Sequence, residues 1–191
     1  MGFELIAVGT SVGGLHALIA LLGDLPATFH LPIVVVQHRT PDTKSGLAEL
    51  LQSHLHLTVV EADDKEAIEA GHVYLAPPDY HLLIEPDRTL ALSTEGPVHY
   101  ARPSIDVLFE SAADVYRDAL LGVILTGASS DGVKGAQRLK QWGGCLMVQD
   151  PATAESAVLP GAVLEAVEAD DVLPLDRLAA DLRRLAGSAR V

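Results

Sequence analysis

A single cysteine, Cys145, in 191 residues leaves no intrachain disulfide framework and no cysteine cluster for zinc, and it suits a reducing compartment. Basic residues are also scarce: 13 Lys and Arg against 26 Asp and Glu give a formal charge of −13 and a pI near 4.8. Nucleic acid and anionic membranes are therefore not expected as partners, because both demand a basic face that releases counterions or meets headgroups. No apolar run approaches the roughly 18 residues of a membrane span. Met1-Gly2-Phe3-Glu4 has neither the basic stretch nor the long apolar segment of a secretory leader, so no membrane insertion and a cytoplasmic location are expected. Aromatics amount to only 4%, yet hydrophobic residues reach 49%. The apolar mass is thus mostly Leu, Val and Ala, which fits helices on a buried sheet better than an aromatic-rich β-sandwich. With mean hydropathy +0.27, disorder is excluded, and the length predicts one domain over 1–191.

The apolar spacing predicts alternating strands and helices. Phe3 to Val8 reads as a strand, Gly9-Thr10-Ser11-Val12-Gly13-Gly14 as a tight turn, and Leu15 to Leu22 as a helix. Pro32 to Gln37 is a β-branched run of the kind buried on both faces in a parallel sheet, followed by a helix from Ser45 to Ser53 and a strand from Leu57 to Val60. His72 to Ala76 is a further strand. His81 to Glu85 and Thr89 to Ser93, separated by Pro86-Asp87-Arg88, predict a hairpin. Pro103 opens a helix with apolar residues from Ile105 to Tyr116 at three- and four-residue steps. Alternation then resumes: strands Leu121 to Leu125 and Cys145 to Gln149, and helices near 131–142, 160–166 and 175–185. The expected fold is α/β, three-layered, with a mostly parallel doubly wound sheet and an antiparallel β-hairpin at one edge.

Three residues stand in turns directly after expected parallel strands, on the edge where open α/β sheets place their ligands. Ser11 lies in Gly9-x-Ser11-x-Gly13, a strand-to-helix turn that can expose a serine hydroxyl at a helix N-terminus beside backbone N–H groups able to hold an oxyanion. The same turn also reads as a phosphate cradle, or as a serine that caps its helix. It is neither G-x-G-x-x-G nor a Walker loop, and no lysine follows. His38 follows Val34-Val35-Val36-Gln37 and is a candidate general base or a loop residue; Asp131 follows Leu121 to Leu125 and is a candidate orienting carboxylate or a helix N-cap. A Ser-His-Asp set is defined by convergence and roles rather than chain order. The order here, Ser, His, Asp, differs from the Ser, acid, His order of α/β-hydrolases.

The sequence resembles the catalytic domain of the chemotaxis receptor methylesterases, the CheB type, over residues 7–179. The resemblance rests on Gly9 to Gly14, Val36-Gln37-His38, Gly71 to Pro78 with Asp79-Tyr80-His81, Arg102-Pro103-Ser104-Ile105-Asp106, Gly122 to Gly127 and Asp131-Gly132, and continues at Gly143-Gly144, Gln149-Asp150 and Val172 to Leu175. It implies that Ser11 is the nucleophile, His38 the general base and then acid, and Asp131 the carboxylate orienting His38. Substrate and oxyanion positions fall at Val12 and Ala128. The implied reaction is hydrolysis of γ-glutamyl methyl esters on the cytoplasmic helices of methyl-accepting chemotaxis receptors, releasing methanol through an acyl-enzyme, with deamidation of glutamines as a companion activity. Such chemistry needs no cofactor and no metal. The resemblance leaves the oligomeric state open.

Thr10 and Val12 stand where the family usually has Ala and Thr, and Ala128-Ser129-Ser130 replaces Met-Gly-Asn, so activity with an altered substrate fit is expected. A receiver domain commonly precedes this unit in the family. Here Ser11 comes almost at once, as expected either of a free-standing enzyme or of a domain cut from a longer chain. The competing readings are a nucleotide-binding module and a non-catalytic, CheB-like module that binds a signalling partner. His54 and His56, expected on one strand face near Asp63-Asp64, could begin a metal site, but no third ligand stands at a recognisable spacing and solvated polar residues are the simpler expectation. His16 is expected near the mouth of the site, and Arg102 to Asp106 at a helix start beside the cleft.

Overall fold

The computed structural model describes residues 2–39 and 46–186. Ser45, the expected start of the second helix, lies outside them. Seven strands form one parallel sheet: β1 (Leu5–Thr10), β2 (Ile33–Gln37), β3 (Thr58–Glu61), β4 (His72–Leu75), β7 (Leu120–Ile124), β8 (Cys145–Gln149) and β9 (Asp171–Leu173). Their order is β3-β4-β2-β1-β7-β8-β9. The helices are α1 (Gly14–Leu22), α2 (Leu47–Gln52), α3 (Ile105–Tyr116), α4 (Val133–Gln141), α5 (Val158–Ala166) and α6 (Leu175–Ala186).

Strand alternation divides the apolar residues between two cores, one on each face of the sheet. Leu5, Ala7, Val34, Val36 and Ile124 join Leu108, Phe109, Leu139 and Val163 on the α3–α5 face. Ile6, Val8, Ile33, Val35 and Val123 join Leu18, Leu21, Leu51, Leu178 and Leu182 on the other. A strand buried on both sides can carry no polar alternation, which is why β1, β2 and β7 read as continuous apolar runs. The sheet is doubly wound about β1. β2 lies on one side of it and β7 on the other, so the loops after these three strands converge at the topological switch point.

The hairpin β5 (His81–Ile84) and β6 (Leu90–Ser93) exists, but as a two-stranded sheet of its own; the edges of the large sheet are β3 and β9. Its apolar residues Leu82, Ile84 and Leu90 are covered by the core of α3, and Leu90 exchanges backbone hydrogen bonds with Lys65 and Glu66, in the segment that follows the edge strand β3. Ile84 N–H donates to Ser111 Oγ on α3 at 3.1 Å. Strand β9 is not predicted by the apolar spacing: it has three residues, two of them exposed, so it carries no hydrophobic run. His54 and His56 do not share a strand. They lie in the turn between α2 and β3, where the His54 ring bonds back to the Leu50 carbonyl.

Candidate active site

The turn after β1 is locked to the end of β7 by backbone and threonine hydrogen bonds. Ser11 N–H donates to Thr126 O at 3.0 Å, Thr10 Oγ1 donates to the same carbonyl at 2.9 Å, and Thr126 Oγ1 donates to Val12 O at 2.9 Å. From the β2 side, Gln37 Nε2 donates to Ser11 O at 2.8 Å and His38 N–H to Thr10 O at 3.0 Å. Gly13, at φ 79°, makes the left-handed step that lets α1 begin three residues after the serine. Gly127 passes so close that a Cβ there would lie 2.9 Å from Ser11 Cβ and 2.8 Å from Leu159 Cδ2. No residue with a side chain fits between them.

His38 Nε2 lies 2.7 Å from Asp131 Oδ2. The acid is fully buried and the imidazole nearly so, with 14% of its side chain exposed. Asp131 also accepts from Ser104 Oγ (2.7 Å), Ile105 N–H (2.6 Å) and Asp106 N–H (3.1 Å), the first turn of α3. Burial alone would raise its pKa. The bonds from His38, Ser104 and the two backbone N–H groups outweigh burial and hold the carboxyl below its ordinary range. Because Asp131 occupies Nε2, Nδ1 is the ring nitrogen left to exchange a proton.

Ser11 and His38 line one open cleft of about 480 Å³ together with His16, Gln37, Arg39 and Glu155. No hydrogen bond joins the Ser11 and His38 side chains among the described residues; in free enzymes that bond is often long and tightens with substrate. Val12 directly follows the nucleophile and Ala128 follows Gly127, which packs against Ser11; both are exposed, and among the described residues neither N–H has an acceptor. Ser129 Oγ accepts the Asp131 N–H at 3.0 Å, and neither Ser129 nor Ser130 takes a positive φ. The Ser-Ser pair therefore keeps Asp131 in place, and a glycine is not needed there.

The structure thus brings Ser11, His38, Asp131, Val12 and Ala128 to one sheet edge, and it places His16 at the mouth. Glu155 and Arg39 are additional cleft residues, and no motif in the sequence singles them out. Arg39 is tied down by Glu61 Oε1 (2.9 Å) and the Ala76 carbonyl. Ser104 caps α3 through Val107 N–H and also donates to Asp131, and the Asp106 N–H donates to Asp131 as well. Gln37 and Thr126 are scaffold for the nucleophile turn, and the signal for both was their place at a strand's carboxyl end. Among the described residues no group of three or more His, Cys, Asp or Glu is placed to hold a metal ion. No helix among them is long and apolar enough to cross a membrane.

The model of the family described as CheB methylesterase matches residues 6–182. A relative from Leptospira interrogans is 47% identical over 179 residues, covering 94% of this chain and 93% of that protein. The protein-glutamate methylesterase/protein-glutamine glutaminase of Trichodesmium erythraeum is 41% identical over 187 residues; they cover 96% of this chain and 53% of the relative, so the chain spans about half its length. The crystal structure of the Thermotoga maritima CheB methylesterase catalytic domain superposes with a TM-score of 0.92 at 36% identity, over 97% of this chain and all of that one. With fold, site geometry and sequence in agreement over almost its whole length, the chain belongs to the CheB methylesterase family.

Proposed function

We propose that the protein is a serine hydrolase that removes methyl groups from γ-glutamyl esters on the cytoplasmic helices of chemotaxis receptors, and that it also deamidates glutamines there. The observation that carries this reading is the 2.7 Å bond between His38 and a buried, multiply bonded Asp131, beside Ser11 on one sheet edge. Ser11 Oγ attacks the ester carbonyl while His38 Nδ1 takes its proton, and the imidazolium is held by Asp131. The Val12 and Ala128 N–H groups receive the negative charge that develops on the carbonyl oxygen. Collapse expels the methoxy group, His38 returns the proton, and methanol leaves an acyl-serine. A water, deprotonated by the same imidazole, then releases the glutamate carboxylate and frees Ser11. With a glutamine side chain the leaving group is ammonia and every other step is the same.

The nucleotide-binding alternative is disfavoured by Glu155. Its side chain stands against the Gly13 turn, where a phosphate would have to sit beside a carboxylate. The decisive experiment is methanol release from methyl-labelled receptor membranes by the wild type and by Ser11→Ala. Release by the wild type alone is expected; equal release, or none from either, removes the proposal.

A further inference from the structure

Asp106 is a second buried carboxylate behind the site, and the mechanism does not use it. It lies in the first turn of α3 with 2% of its surface exposed. Its Oδ1 accepts the N–H groups of Gly132 (2.9 Å) and Gly135 (2.8 Å), the entrance to α4. Asp131, at that same entrance, accepts the N–H groups of Ile105 and Asp106 in α3. Each helix is therefore capped by the carboxylate of the other, an arrangement in which neither acid can move without loosening both helix starts. Asp106 Oδ2 is buried with no hydrogen bond among the described residues, and His99 Nε2 lies 3.6 Å from it.

We infer that Asp106 is a positioning residue of the reaction: by holding the Gly132 and Gly135 N–H groups it fixes Asp131, and through Asp131 it fixes the ring of His38. This rests on the reading of Ser11, His38 and Asp131 as the catalytic set. The acceptor oxygen Oδ1 carries this role, because both N–H groups are bound to it and Oδ2 binds none among the described residues. Burial pushes the Asp106 carboxyl up to about 6 against its bonds from Gly135 and Gly132, with the neighbouring charges of Asp131 and Glu110 adding to the rise. An asparagine keeps the acceptor and places its NH2 where Oδ2 now faces His99. An alanine keeps neither.

The test compares Asp106→Asn and Asp106→Ala in the full chain by two readouts. One is the rate of labelling by a fluorophosphonate. The other is the downfield proton NMR signal of the short His38–Asp131 bond, in protein whose melting curve shows it folded. Asp106→Ala is expected to lose that signal and to slow labelling roughly 10- to 100-fold, the scale of a misplaced catalytic group. Asp106→Asn should retain the signal and label within about threefold of wild type. If Asp106→Ala keeps the signal and the rate while only its melting temperature falls, the residue is structural and the inference is wrong. If Asp106→Ala does not fold, Asp106→Asn decides alone: a folded variant that has lost the signal overturns the inference, and one that retains it supports it. Should the wild type itself resist the fluorophosphonate, the esterase reading fails while the NMR comparison still decides the role of Asp106.

Discussion

Asp131 and Ser11 stand at opposite ends of one line of groups and are built in opposite ways. Asp131 has no exposed surface and accepts bonds from His38, Ser104, Ile105 and Asp106. Ser11 borders an open cleft between the exposed Val12 and Ala128, and its position comes from backbone bonds to β7 and β2 rather than from bonds to its hydroxyl. The difference teaches how one sheet edge serves two needs. A carboxylate that must stabilise an imidazolium gains from burial and many donors, whereas a nucleophile that must meet a protein side chain needs space in front and rigidity only behind.

The sharpest way to break this contrast is at the buried end. Asp131→Asn keeps the shape but turns an NH2 toward donors, leaving at least one buried N–H or O–H unpaired at a cost on the order of 2 kcal/mol. It also removes the charge that orients His38, and labelling of Ser11 should fall by roughly 10³- to 10⁴-fold, measured by stopped-assay kinetics on folded protein. A loss of less than tenfold would mean that the buried carboxylate is incidental. At the open end the weak point is behind the serine. Gly127→Ala drives a methyl group into Ser11 Cβ and Leu159, and a fall of roughly 10- to 100-fold in the same assay is expected.

The two acids can also be told apart by pH. Asp131 is held below its ordinary range, so its contribution to stability is present above the unfolded value of 3.8 and is lost as pH falls through the folded value. Asp106 runs the other way. Raised to about 6, it contributes below 3.8 and loses that contribution as pH rises through about 6. Asp106→Asn removes this second slope, so its melting temperature relative to wild type should rise between about pH 4 and about pH 6 and level off above that. A flat difference across that window would contradict the assignment. The smallest effect is expected in front of the serine: Val12→Thr restores a hydroxyl at an exposed position and should change labelling less than about threefold, while its effect on receptor demethylation measures substrate fit.

Much of this was legible in the sequence, for reasons that differ from element to element. The runs that became β1, β2, β7 and β8 lack polar alternation because both faces are covered, and the turns after three of them held the serine, histidine and aspartate. The resemblance assigned their roles. Strand β9 was hidden because pairing with β8, rather than burial, makes it a strand. The hairpin's sequence fixed its pairing but not its partner, since an apolar face does not say which surface will cover it. The reciprocal capping by Asp106 and Asp131 was not visible either: each reads locally as an ordinary helix-start acid, and only the packing of α3 against α4 exchanges them.

The most direct test of the central claim is to treat the wild type and His38→Gln with a fluorophosphonate and locate the adduct by mass spectrometry. The account predicts a single adduct on Ser11 in the wild type and almost none in the variant. An adduct on another serine, or equal labelling of Ser11 without His38, would contradict it.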